Sequence, residues 1–238
     1  MTGPGAALET AFAALRAGKF VLVYDSDTRE RETDFIMAAR AVTPAHIRTM
    51  RKDGGGLVFL ALDHGIHDRL GLPYLQDLFA ESAPKHPVFS HLVANDIAYD
   101  ARSAFSVWVN HRKTYTGITD EDRALTASRF AEVAAEVMKL ENGHALERLG
   151  EEFRAPGHVP ICSASAKPLE TRFGHSELSV ALLKMAGVLP VAIGCEMLGD
   201  GGKALSKADA RAYAATNGHP FLEGAAIIEA WRSRQWSA

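Results

Sequence analysis

The stretch Arg29-Glu30-Arg31-Glu32-Thr33-Asp34 sets three carboxylates at every second position between two apolar runs. In an extended chain such positions share a face, so Glu30, Glu32 and Asp34 would project together and repel one another unless a cation sat among them. Oxygen donors of this kind suit a hard ion such as magnesium or manganese. A solvated loop of alternating charge is the plainer alternative.

Four further groups could do chemistry. Arg172-Phe173-Gly174-His175-Ser176-Glu177 opens an apolar helical run. The free N–H groups of a helix start and the fork of Arg172 could hold a phosphate, with His175 facing the anion or a metal. An ordinary helix start would look similar. Arg154-Ala155-Pro156-Gly157-His158-Val159 is a turn that delivers a histidine into a strand, where a structural histidine is the competing reading. Cys195-Glu196-Met197 puts a glutamate at the end of the apolar run Val191-Ala192-Ile193-Gly194, and a buried carboxylate is costly unless paired or used. An edge-strand Glu196 pointing to water would carry no such meaning. Finally, the hydroxyl-rich Thr114-Tyr115-Thr116-Gly117-Ile118-Thr119 enters a helix and could meet a phosphate or sugar hydroxyl, or simply cap it.

These residues need elements to hold them. Leu8, Phe12 and Leu15 at helical spacing predict a helix over 7–18, and Phe20 to Tyr24 a short strand. Phe35-Ile36-Met37-Ala38 resumes an apolar run. Thr43-Pro44 predicts a helix through about Arg51, stopped by Gly54-Gly55-Gly56. Leu57 to Leu62 reads as a buried strand, and Phe105 to Val109 as another. Residues 63–103, broken by Pro73, Pro84 and Pro87, give no clear pattern. Thr119 opens a long helix, with Asp122 in the place of the usual capping-box Glu or Gln. A strand near 159–163, a helix over 175–186, a strand over 191–197 and helices near 206–216 and 223–233 complete the chain. The alternation predicts an α+β fold of the three-layer sandwich type, a mixed twisted sheet flanked by helices, in one domain spanning 1–238.

The composition narrows the function classes. With 26 basic against 29 acidic residues the net charge is −3. That is not the broad basic surface that nucleic acid demands. Cys162 and Cys195, the only two cysteines, exclude a disulfide framework and a cysteine-rich zinc cluster, and fit a reducing cytoplasm. No apolar run reaches the roughly 20 residues of a membrane span, and Met1-Thr2-Gly3-Pro4-Gly5 lacks the pattern of a signal peptide. No Walker loop, nucleophile elbow or dinucleotide fingerprint is present.

Taken in order, these motifs resemble those of the 3,4-dihydroxy-2-butanone-4-phosphate synthases, most nearly the archaeal form. The resemblance runs from about residue 8 to residue 230. It passes through Val21 to Asp25, the acidic motif at 29–34, Thr43-Pro44, Met50 to Asp53, Asn95-Asp96-Ile97, Asn110 to Thr114, Thr116 to Asp120, Pro156 to Val159, Gly174-His175 and Cys195-Glu196-Met197. It implies a riboflavin-pathway lyase that converts ribulose 5-phosphate to 3,4-dihydroxy-2-butanone 4-phosphate and formate.

By that resemblance Glu30 and His175 hold a pair of Mg2+ or Mn2+ ions. Arg29 and Asp34 contact substrate, and His158 and Glu196 are required for catalysis, with Asp34 a third candidate for proton transfer. Arg172 and Ser176 hold the phosphate, with Phe173 and Gly174 between them and Thr116 as a further contact. The resemblance also implies a homodimer with sites near the subunit interface, and no organic cofactor. Two positions depart from the pattern. Ser176 replaces a threonine, and Arg31 stands where the family usually has Gly or Asn. Another divalent-metal sugar-phosphate isomerase or aldolase, or a non-catalytic anion-binding relative, remains the competing reading.

Overall fold

A computed structural model describes residues 4–140 and 144–233. Met1–Gly3, part of the segment read for a signal peptide, lies outside the described residues.

Seven strands form one sheet: β1 (Val21–Tyr24), β2 (Thr33–Ala38), β3 (Phe59–Leu62), β4 (Phe105–His111), β5 (Phe153–Ser163), β6 (Val191–Glu196) and β7 (Phe221–Glu223). Their order is β4-β5-β3-β6-β2-β1-β7. The β3–β5 and β1–β7 pairs are parallel and the remaining four antiparallel, so the sheet is mixed, as the sequence predicts.

Strand alternation explains the three layers. Leu22, Phe35, Met37, Leu60 and Ile193 face one side, against α2 (Pro44–Thr49), α5 (Asp120–Val137) and α8 (Lys207–Asn217). Val21, Val23, Ile36, Ala38 and Ala61 face the other, against α1 (Pro4–Arg16), α7 (His175–Met185) and α9 (Gly224–Ser233). With both faces covered, the central strands read as continuous apolar runs rather than alternating ones. Three shorter helices, α3 (His64–Arg69), α4 (Leu75–Ser82) and α6 (His144–Glu152), lie in connections. The first two resolve the stretch that the prolines obscured.

Local chemistry fixes the boundaries. The Thr119 hydroxyl accepts from Asp122 N–H at 3.1 Å, and three acidic residues fill the first turn of α5. Asp122 does not close the capping box, because its carboxylate turns back to Gly117 N–H at 2.8 Å. The helix predicted to reach Arg51 ends at Thr49 and widens into a π turn over Met50–Gly54. The strand predicted near 159 begins at Phe153, but its pairing with β4 shifts between Val109↔Val159 and Asn110↔Arg154, leaving 155–158 as a bulge.

Candidate active site

The acidic motif is not the extended strand that spacing alone envisages. Residues 27–30 turn, Arg31 adopts φ 62°, and β2 begins only at Thr33. Asp25 organises this turn, its buried carboxylate accepting from Glu30 N–H at 2.8 Å and Glu32 N–H at 3.2 Å. The turn nonetheless brings Glu30, Glu32 and Asp34 to one pocket, together with Glu196, His175, Ser176, Arg172, Cys162, Tyr99 and Arg102.

The sheet supplies the floor. Asp34 on β2 lies directly across from Glu196 on β6. The Glu196 carboxylate accepts from Leu57 N–H at 2.8 Å, and a Cβ on Gly56 would collide with it. The run Gly54-Gly55-Gly56 thus does more than end a helix, since it lets backbone close over a catalytic candidate.

The site is strongly polarised. His175 is buried at the start of α7, with Nδ1 3.0 Å from Glu30 Oε2 and Nε2 3.2 Å from the Val23 carbonyl. Both ring nitrogens therefore face acceptors. Burial alone would depress the histidine's pKa, but the charges of Asp34 and Glu30 raise it well above the usual range. Glu30 shifts the opposite way, since His175 and Arg29 outweigh its burial and hold it ionised. Burial raises both Asp34 and Glu196, with neighbouring carboxylates adding to the effect. Asp34 Oδ1 is buried with no close hydrogen bond, His175 Nε2 standing 3.5 Å away. A divalent cation answers both this weakly partnered oxygen and the crowding of carboxylates, so the donor set fits a hard ion. Asp25, Glu30 and His175 bring donor atoms within 4.8 Å of one another. Glu30 and His175, the expected ligands, are thus two donors that could hold the ion, and Asp25, whose carboxylate also accepts from two backbone N–H groups, is a third beside them.

The cationic side is built around Asp100. Its Oδ2 accepts from Arg29 Nη2 and from Arg172 Nε, each at 2.6 Å. Glu177, third residue of α7, takes the other side of Arg172 at 2.7 Å and caps the helix through Gly174 N–H at 3.1 Å. A Cβ on Gly174 would meet both guanidinium groups at 2.9–3.0 Å, so a larger residue there would push these side chains aside. Arg29 and Phe173 line an adjoining cleft behind this bridge rather than the pocket itself. Asp100 and Glu177 were not among the expected site residues. Asp100 lies in the stretch without a readable pattern, whereas Gly174-x-x-Glu177 carries a capping signal that sequence could have yielded.

His158 and Thr116 do not join the pocket. His158 is exposed in the β5 bulge, about 13 Å along an extended strand from Cys162. Asn110 positions it: Oδ1 accepts from His158 N–H at 2.8 Å, and Nδ2 lies 3.0 Å from His158 Nδ1 and 3.3 Å from the Thr116 carbonyl. An amide so oriented donates to Nδ1 and leaves the imidazole proton on Nε2. Tyr115 (96% exposed) and Ile118 (52% exposed) flank Thr116.

A sheet covered by helices on both faces, with buried carboxylates lining a pocket beside a histidine and an arginine pair, is the frame of an enzyme that handles an anionic substrate with a divalent ion. A family model described as 3,4-dihydroxy-2-butanone 4-phosphate synthase matches residues 9–230, and the chain belongs to this family. It is 45% identical over 225 residues to the synthase of Methanothermobacter thermautotrophicus, covering 94% of this chain and 95% of that protein. To the Archaeoglobus fulgidus synthase it is 46% identical over 226 residues, covering 94% and 93%. Among solved structures, a Candida albicans synthase (TM-score 0.69, 25% identity) covers 94% of this chain and 96% of its own. A synthase in complex with two magnesium ions has the same TM-score and identity, covering 96% and 97%. No helix among the described residues is long and apolar enough to cross a membrane.

Proposed function

We propose that this chain converts D-ribulose 5-phosphate into 3,4-dihydroxy-2-butanone 4-phosphate and formate, a step of riboflavin biosynthesis, as a single-domain cytoplasmic homodimer using two Mg2+ or Mn2+ ions per site. The observation that carries the reading is the convergence of Glu30, Asp34, His175 and Glu196 beside the Arg172 fork in one pocket.

The two products together contain the atoms of the substrate, so the site must move protons and hold carbon atoms in register, with no oxidant. The reaction opens by removing a proton next to a ketone. A divalent ion held by Glu30 and His175 would supply Lewis-acid stabilisation of the charge that develops on the substrate oxygens. Asp34 and Glu196, whose pKa values burial raises above the usual carboxylate range, are the groups suited to take and return protons. Arg172 and Ser176, at the start of α7, anchor the phosphate away from the reacting carbons, where binding energy can be used for orientation.

His158 and Thr116 enter this reading from a second subunit. Their exposure, the exposed Tyr115 and Ile118 around them, and the Asn110 clamp that presets the His158 ring all support a surface completed by another copy.

The test is formate release from ribulose 5-phosphate with magnesium. We expect production by the native chain and a loss of about a hundred- to ten-thousand-fold in Glu196→Gln and in Glu30→Gln. A folded, metal-loaded protein that isomerises the sugar without releasing formate would overturn the assignment in favour of a sugar-phosphate isomerase.

A further inference from the structure

A second group of metal-ligating side chains converges on α3, away from the pocket. His64, His67 and Asp68 each bring a donor atom within 4.8 Å of the others. Their i, i+3, i+4 spacing sets all three on one face of a single helical turn, so the backbone gathers them before any ion arrives. His64 Nε2 lies 3.2 Å from Asp68 Oδ2, and His67 Nδ1 lies 3.5 Å from Asp68 Oδ1. Ligands at about 2.0–2.1 Å from one zinc-sized ion stand about 3.3 Å apart at tetrahedral angles. The two approaches use different oxygens of Asp68, so a rotation of its carboxylate would bring one oxygen to both imidazoles at such an edge.

An independent observation points to a ligand. The His67 side chain is 5% exposed, and its Nδ1, the atom that faces Asp68, makes no close hydrogen bond there, with Asp68 Oδ1 standing 3.5 Å away. A buried polar atom without a close partner is costly, and a cation between His67 and Asp68 would satisfy this one.

We propose that His64, His67 and Asp68 form a second metal site, selective for a borderline divalent transition ion of the zinc class, with water in the fourth position. Two imidazole nitrogens favour such an ion over magnesium, whereas the oxygen-rich pocket has the opposite preference. The consequence for the molecule is mechanical. The His67 ring packs 5.0 Å from that of Tyr74, Tyr74 lies 3.8 Å beneath the Arg102 guanidinium, and Arg102 lines the active-site pocket. An ion on α3 braces that wall without touching substrate.

Cobalt is the probe, because four-coordinate Co2+ absorbs visibly and the free aquo ion only weakly. Full-length protein is stripped with chelator, given excess magnesium to fill the pocket, and titrated with Co2+, then with Zn2+. We expect one equivalent of four-coordinate cobalt, bleached by zinc and accompanied by a higher melting temperature. His64→Ala and Asp68→Asn, at half-buried and exposed positions, should each weaken binding at least about tenfold, while Glu30→Gln leaves it intact. These variants avoid truncating the buried His67. A stripped, folded protein showing only the spectrum of the free ion overturns the site. So does absorption that survives both α3 variants, or that vanishes in Glu30→Gln.

Discussion

Among single residues, Glu30, Asp34, Arg172, His175, Ser176 and Glu196 meet in one pocket because a turn, not a strand, gathers the acidic ones. Asp100 was illegible because its role is set by two arginines 71 and 72 positions away. Arg31 gains its explanation here. At φ 62° it occupies the left-handed region, which Gly and Asn adopt at low cost, and its Nε is tied to the Asp27 carbonyl at 2.8 Å outside the pocket. Arg31→Gly should therefore raise stability by up to about 1 kcal/mol, read by denaturant unfolding, with formate production unchanged. His175 carries a second prediction. Its pKa is raised by Asp34 and Glu30, so below that value an incoming ion must displace a proton. Magnesium or manganese affinity should rise with pH, by up to about tenfold per unit, when titrated calorimetrically from about pH 6 to about pH 8. A flat profile would show that His175 is not a ligand.

Among elements, the central strands and the capped helices could be read because local signals agree with burial. Thr43 and Thr119 each cap the helix they announce. What escaped was held by distant contacts: the three-residue β7 exists by pairing with β1, and α6 packs Ala145 and Leu149 on the core and pairs Glu152 with Arg129 of α5. Glu152, at the end of α6, joins Arg129 of α5 and Arg148 of its own helix at 2.5 Å each, with His111 of β4 at 3.2 Å. The Arg129 hydrogen bond leads the causes that hold its carboxyl at about 2. A carboxylate whose pKa is lowered on folding stabilises the fold above its unfolded value and loses that contribution as pH falls. Glu152→Gln should thus melt lower than the native chain at neutral pH. The gap should close between about pH 4.5 and about pH 2, as followed by circular dichroism.

For the whole molecule, the three-layer architecture was legible because both faces of the sheet are covered, which the continuous apolar strands announce. Assembly was not, since no heptad or long apolar stripe marks it. If His158 and Thr116 serve a neighbouring copy, activity per chain should fall on dilution below the dimer dissociation constant. Tyr115→Glu should shift that fall to higher concentration, visible by sedimentation, with each chain still folded. The bridge of Asp100 between Arg29 and Arg172 bears on which sugars the protein accepts. A carboxylate already occupies the donors that a phosphate would use, so an incoming molecule must outcompete a resident anion before it is held. A dianionic phosphate ester can do so, and an unphosphorylated pentulose has nothing to offer in exchange. Asp100 then acts as an entry threshold, and Asp100→Asn should narrow the ratio of rates between ribulose 5-phosphate and free ribulose. Selectivity for phosphorylated sugars would rest on the cost of displacing that side chain as much as on the strength of the arginines.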